Sequence, residues 1–255
     1  MARSPPVAWV LDLDGVIWLA DQPIPGAADA VARLRAAGER VLFVTNNSSA
    51  PVGDQEAKLA RLGIPASGDV VTSAMAGARL VSPGERVLVC GGPGIVEAVA
   101  ARGAEPVRDG DADVVVVGFH RDFDYERLRV AATAVRRGAR LVATNDDATY
   151  PTPEGPIPGG GAIVAAVAYA SGVDPVVAGK PHEPMAELVR SLAGPSGTVV
   201  GDRPDTDGRF ARTLGWRFAL VLTGVTSAGD LPVDPDPDVV AESLAALVAE
   251  SVAGA

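Results

Sequence analysis

Cysteine occurs once in this chain of 255 residues, at Cys90. A lone thiol excludes an intrachain disulfide and fits a reducing compartment. Within the apolar stretch "RVLVC" it reads as a small buried residue. Aromatic side chains make up only 4% of the sequence, so the core has to be aliphatic. Basic residues are outnumbered, 22 against 32, for a formal net charge of -10. That balance argues against a chain that wraps nucleic acid or coats an anionic membrane, and it requires any anion site to be locally positive. No uninterrupted apolar run reaches the roughly 18 residues of a membrane span. The opening "MARSPPVAWVLDLDG" lacks a signal-peptide pattern because acids break its apolar stretch. These absences together lead to the expectation of a cytoplasmic protein.

What is present is an aliphatic chain, 47% hydrophobic, in which short apolar runs alternate with alanine-rich segments of helical period. "VAWVLDL", "RVLFVT", "RVLVC", "DVVVVGF", "RLVAT", "GTVVGD" and "WRFALVLTG" read as strands. "GAADAVARLRAAG", "DQEAKLARLG", "GIVEAVAARG", "DYERLRVAATAVRRG", "GGGAIVAAVAYASG" and "EPMAELVRSLAG" read as helices, several closed by glycine. Such alternation predicts an α/β fold with parallel sheets covered by helices. The proline-rich, acidic "GDLPVDPDPD" reads as a solvated linker before a last helix over "VVAESLAALVAES". No fixed-period repeat is present. "CGGPGIVEAV" lacks the spacing of a dinucleotide fingerprint and reads as a strand-to-helix turn.

Polar residues gather where strands end: "DLDG", "VTNNS", "VAGKP" and "VVGDRPDTD". Ligands of open α/β sheets bind just beyond the carboxyl ends of strands, which places all four groups around one crevice. In "DLDG", Asp12 and Asp14 are two residues apart at the strand's end and so point to one face, and Gly15 permits a sharp turn after them. Two adjacent carboxylates at the end of a buried strand need a counter-charge. Asp202, Asp205 and Asp207 follow another apolar run, and a carboxylate set of this kind suits a hard cation such as Mg²⁺. "VTNNS" offers a hydroxyl and amides that can bond phosphate oxygens, and Lys180 supplies a cation beside the acids. Singly, the two aspartate segments read equally well as capping or solvent-facing turns, "VTNNS" reads more often as a turn, and a lone lysine is usually a solvated surface charge. Together they match phosphoryl transfer: a metal, a lysine, hydroxyl and amide donors, and a carboxylate able to attack.

The four motifs "DLDGVIW", "FVTNNS", "AGKP" and "VGDRPDTD", in this order, resemble the haloacid dehalogenase superfamily, and within it the NagD-like, p-nitrophenyl phosphatase branch. The resemblance runs over nearly the whole chain. "VVVVGFHRDFDYERL" and "ATNDDATYPTPEGPIPGGGAIVAAV" resemble the cap inserted between the second and third motifs. It implies a Rossmann-like catalytic core from residues 1–78 and 180–255, with an inserted α/β cap over 79–179. It also implies a Mg²⁺-dependent phosphatase of small phosphorylated metabolites working through an aspartyl-phosphate. By position, Asp12 is the nucleophile and Asp14 the general acid and base. Thr45 binds the phosphoryl group, with Asn46 and Asn47 shaping its loop, and Lys180 balances charge. Asp202 holds the metal with Asp12 and the backbone carbonyl of Asp14, and Asp207 supports that metal shell. The cap loop with Asn145, Asp147 and Tyr150 faces the leaving group. The chain departs from the family pattern at "GRFA" after the last acidic motif. It departs again at His120, where relatives often carry an acid; His120 reads as part of a surface loop and His182 as a helix-start residue. A homodimer through the cap, a phosphomutase or phosphotransferase on the same core, and a non-catalytic metabolite sensor are the readings left open.

Overall fold

The computed structural model describes residues 8–19, 22–150, 152 and 155–253. The chain divides into two compact units. The first comprises Met1–Thr45, Gln55–Val71 and Ala186–Ala255, and the second Asn46–Asp54 and Thr72–Met185. The second unit is wider than the expected cap segment at both ends.

The first unit is built on a six-stranded sheet in the order Val239–Ala241, Arg217–Val221, Gly197–Gly201, Ala8–Leu11, Arg40–Thr45, Val70–Thr72. The pairings of its first five strands are parallel, with Leu11 opposite both Phe43 and Val200. All four residues of Ala8–Leu11 are buried, as expected for a central strand covered on both faces. The helix Ala27–Ala36 turns Ala27, Ala30, Val31 and Leu34 inward, at the spacing of one helical face.

The carboxy-terminal expectation needs correction. "VVAESLAALVAES" is not one helix. Val239–Ala241 extends the sheet beside Arg217–Val221, and the helix starts only at Leu244. The Asp238 carboxylate accepts the Phe218 amide at 2.8 Å and so starts the pairing, a tertiary contact no local pattern reveals. In "GRFA", by contrast, Gly208 ends a π-helical turn and Arg209, Phe210 and Ala211 open a regular helix, Arg209–Leu214, with Phe210, Ala211 and Leu214 buried.

The second unit holds a five-stranded parallel sheet in the order Val176–Val177, Arg140–Ala143, Val114–Val117, Arg86–Cys90, Glu105–Val107. Val114 and Val116 pack on one face, toward Ile95 and Val99 of the helix Pro93–Ala101. Val115 and Val117 pack on the other, with Ala131 and Val135 of Tyr125–Arg136 and Ile163 and Val167 of Gly160–Ser171. The unbroken "VVVV" run is therefore a strand buried on both sides. Cys90 belongs to this core, and burial pushes its thiol up to about 12. Among the described residues, no helix is long and apolar enough to cross a membrane.

Candidate active site

The strand Ala8–Leu11 stops before the aspartates. The amide of Asp12 still donates to the Val200 carbonyl at 2.9 Å, so Asp12 leaves the sheet beside the end of Gly197–Gly201. Leu13 then starts a tight turn: the amides of Ile17 and Trp18 both reach its carbonyl, at 2.9 and 3.2 Å. Gly15 sits in that turn at φ +80°. Asp14 is thus on a turn and not on a strand face shared with Asp12, which corrects the expectation drawn from the two-residue spacing. The turn brings the buried Trp18 back to Asp14, whose Oδ1 accepts the indole Nε1–H at 3.0 Å.

Asp12, Asp202 and Asp207 form one group, each offering an oxygen within 4.8 Å of the others. Asp202 and Asp207 are almost fully buried. Two unit charges about 4 Å apart repel by roughly 4 kcal/mol at an effective dielectric near 20, so three such carboxylates call for a cation. All three are hard oxygen donors, the donor set that Mg²⁺ takes. Asp205 lies apart from the group, exposed and near the Arg203 guanidinium at 3.4 Å. Asp207 is carried on a π-helical turn, Pro204–Gly208, where the Gly208 amide reaches back to the Arg203 carbonyl.

Two glycines make room for Asp202. A Cβ on Gly15 would lie 2.4 Å from its carboxyl carbon, and one on Gly224 would lie 1.9 Å from Oδ2. The Val225 amide donates to that Oδ2 at 2.6 Å, and the Thr223 hydroxyl donates to the Gly15 carbonyl at 2.5 Å. Sequence reasoning missed Thr223, Gly224 and Val225. The available signal was "LTG" following an apolar strand, the same strand-end pattern that singled out the other motifs.

Thr45 closes the strand Arg40–Thr45, buried, at the same sheet end as Asp12. Asn46 begins the second unit's share of the predicted residues and ties four of them together. Its Nδ2 donates to Asp147 Oδ2 at 2.9 Å and to the Lys180 carbonyl at 3.0 Å, while its Oδ1 accepts the Lys180 amide at 2.8 Å. Its own carbonyl accepts the Asn145 Nδ2–H at 2.8 Å and the Ser73 hydroxyl at 2.7 Å. Lys180 is buried. Asn47 accepts the Ser49 amide at 3.0 Å and so turns the chain toward the helix Val52–Arg61.

Asn145 is buried and bonds inward, its Oδ1 accepting the Asp147 amide. The loop it begins rests on "GGG". A Cβ on Gly159 would lie 2.4 Å from the Asp147 carbonyl oxygen, and one on Gly161 would lie 2.3 Å from that of Asp146. Tyr150 stacks on Phe119 at 5.0 Å between centroids, a partner that sequence reasoning also missed. His182 precedes its helix as expected and pairs with Asp146 at 2.9 Å, a hydrogen bond that holds the Asp146 carboxyl below the usual aspartate range. His120 departs from expectation: it is not on a surface loop but buried, with Nδ1 3.1 Å from the Gly118 carbonyl.

A parallel α/β sheet that gathers three carboxylates at its carboxyl end defines a divalent-cation site of the hydrolase type. Residues 9–105 match the family model of haloacid dehalogenase-like hydrolases, and residues 177–247 match a second, HAD-hydrolase-like model. The chain belongs to the haloacid dehalogenase-like hydrolases. It is 43% identical over 229 residues to a D-glycerol 3-phosphate phosphatase of Mycobacterium tuberculosis, covering 87% of this chain and 64% of that protein's length. The crystal structure of the M. tuberculosis glycerol phosphate phosphatase in complex with magnesium superposes with a TM-score of 0.87 at 40% identity, over 95% of this chain and 76% of that one. An acid sugar phosphatase of Staphylococcus saprophyticus is 37% identical over 88% of this chain and 89% of its own. The p-nitrophenyl phosphatase from Archaeoglobus fulgidus superposes with a TM-score of 0.90 at 32% identity, over 96% of this chain and all of that one.

Proposed function

We propose that the chain is a Mg²⁺-dependent phosphatase of small phosphorylated metabolites, with polyol and sugar phosphates as its substrate class. The convergence of the Asp12, Asp202 and Asp207 carboxylates carries this reading. The names of the mycobacterial and staphylococcal relatives support the substrate class. In this reading Asp12 and Asp202, with Asp207 and the backbone carbonyl of Asp14, hold Mg²⁺, which when bound offsets carboxylate charge and polarises a phosphoryl oxygen.

Asp12 attacks phosphorus through a carboxylate oxygen. The ester P–O bond breaks, and the departing oxygen takes a proton from Asp14, leaving an aspartyl-phosphate. Asp14, now a carboxylate, takes a proton from water as that water attacks phosphorus. The acyl-phosphate P–O bond breaks, inorganic phosphate leaves and Asp12 is regenerated. Thr45 donates its hydroxyl to a phosphoryl oxygen, and Lys180 balances the negative charge. Asn46 and Asn145 act as positioning residues, because their amides are engaged within the loop network. Residues 79–179 serve as the cap, where Asp147 and Tyr150 face the leaving group. The single buried cysteine supports a cytoplasmic setting.

The test is phosphate release over a metabolite panel with Mg²⁺, using the wild type and Asp12→Asn. The expected result is release from glycerol phosphate or sugar phosphates by the wild type and none by the variant. An uncontaminated Asp12→Asn protein working at the wild-type rate would overturn the nucleophile assignment. A panel with no hydrolysed ester would overturn the phosphatase reading.

A further inference from the structure

The sheet of the second unit has the chain order 2-1-3-4-5, counted from Glu105–Val107 across to Val176–Val177. In such a sheet the connections after the first and third strands depart to opposite faces, opening a crevice at their carboxyl ends. Here those strands are Arg86–Cys90 and Val114–Val117. A cavity of about 170 Å³ lies there, lined by Val89 at the end of the first strand, by His120 and Asp122 beyond the end of the third, and by Pro106 and Val107 of the neighbouring Glu105–Val107 strand. It is smaller than the roughly 300 Å³ at which drug-sized pockets begin, so its occupant is metabolite-sized.

The polar groups of the cavity are Arg108, Arg127, His120 and Asp122, set beside the apolar Val96 and Val107. The chain carries 32 acidic residues against 22 basic ones. Yet neither Arg108 nor Arg127 forms an ion pair among the described residues; the Arg127 guanidinium donates to the Arg108 carbonyl, at 3.4 Å. Two guanidinium groups in one cavity present fork-shaped donors suited to a carboxylate or phosphate. His120 is 7% exposed and lines the same cavity. Its Nδ1 faces the Gly118 carbonyl, which can only accept, so Nδ1 carries the proton and Nε2 of the neutral ring is an acceptor. Nε2 has no hydrogen bond among the described residues. This acceptor belongs to a residue that lines the cavity, where it can take a hydrogen from a ligand donor.

We propose that this cavity is a binding site for a small organic or inorganic oxyanion that also carries a hydroxyl. The carboxylate or phosphate lies on Arg108 and Arg127, and the hydroxyl donates to His120 Nε2. Any carbon chain lies on Val96 and Val107. The site goes beyond the phosphatase reading: it lies wholly within the second unit and uses none of the residues assigned to phosphoryl transfer.

The full-length protein, isotopically labelled and freed of divalent cations, is titrated with lactate in one arm and inorganic phosphate in the other. The two histidines of the chain make the imidazole signals assignable through His182→Gln. The expected result is a saturable shift of the His120 ring signals while those of His182 stay in place. Affinity should fall at least about tenfold in Arg108→Ala and in Arg127→Ala. Saturation by lactate alone identifies a carboxylate site, by phosphate alone a phosphate site, and by both a general oxyanion site; each supports the proposal. No saturable shift with either probe overturns it, as does an unchanged affinity in both arginine variants. Should an alanine variant lose its dispersed spectrum, Arg108→Gln and Arg127→Gln, which keep much of the side-chain stem, are measured by the same criterion.

Discussion

The indole Nε1 of Trp18 donates to Asp14 Oδ1 at 3.0 Å, and the same ring lies 4.1 Å beneath the Lys58 ammonium. Asp14 is therefore oriented by a buried aromatic ring four residues along the chain. Trp18→Phe keeps a ring beneath Lys58 but removes the donor. One hydrogen bond to a charged group contributes roughly 1.5–3 kcal/mol, so single-turnover phosphoryl transfer from an alkyl phosphate should slow by about tenfold or more. p-Nitrophenyl phosphate, whose leaving group needs little protonation, should slow much less. Equal slowing of both esters would separate Trp18 from the acid role proposed for Asp14.

Gly224 gives a sharper test of the metal site than the aspartates themselves. Its replacement by alanine places a methyl group 1.9 Å from Asp202 Oδ2, where the Val225 amide also bonds. The Mg²⁺ concentration for half-maximal activity should rise by about 10- to 100-fold, the range typical of disturbed groups behind a metal ligand. Gly53→Ala, whose added methyl meets nothing within 4 Å, should leave it unchanged. Chelation should abolish activity, with Mg²⁺ restoring it and Ca²⁺ restoring little, because calcium takes more ligands at longer distances.

Specificity should reside in the loop that carries Asp147 and Tyr150. Phosphoryl chemistry is common to all substrates, so discrimination has to come from contacts to the remainder of the molecule. Tyr150→Ala also removes the stack on Phe119. It should reorder kcat/KM across a panel of polyol and sugar phosphates by about tenfold, while p-nitrophenyl phosphate changes less. An unaltered ranking assigns the loop a structural role only.

The His182–Asp146 pair makes a prediction in pH. Hydrogen bonding to His182 depresses the native Asp146 pKa below its ordinary value. The resulting stability is fully present above that ordinary value. It is lost as pH falls through the window down to the lower native pKa, because the unfolded state takes up the proton first. Unfolding free energy of the wild type should therefore fall more steeply with acidification in that window than that of Asp146→Asn. Denaturant titrations at a series of pH values measure the difference, and parallel curves would show that the pair contributes nothing.

The parallel α/β architecture was legible because apolar strands, helical periods and glycine stops all agree along the chain. The strand-end motifs were legible for the same reason: a carboxylate, amide or lysine stands out at the end of an aliphatic run. The apolar run "DVVVVGF" was legible as a strand, while its burial on both faces followed from the helices packed on each side. Other features depend on partners distant in sequence. Val239–Ala241 became a strand because Arg217–Val221 offered it an edge. Asp14 left the strand because the Leu13 carbonyl captured three later amides and folded Trp18 back upon it. Asn46 became a clamp through partners at positions 145, 147 and 180, and Gly224 made space for a carboxylate 22 residues earlier. Local sequence sets backbone preference and burial period, which act over a few residues. Which side chain meets which ligand, amide or ring is decided only when distant segments are packed within each unit.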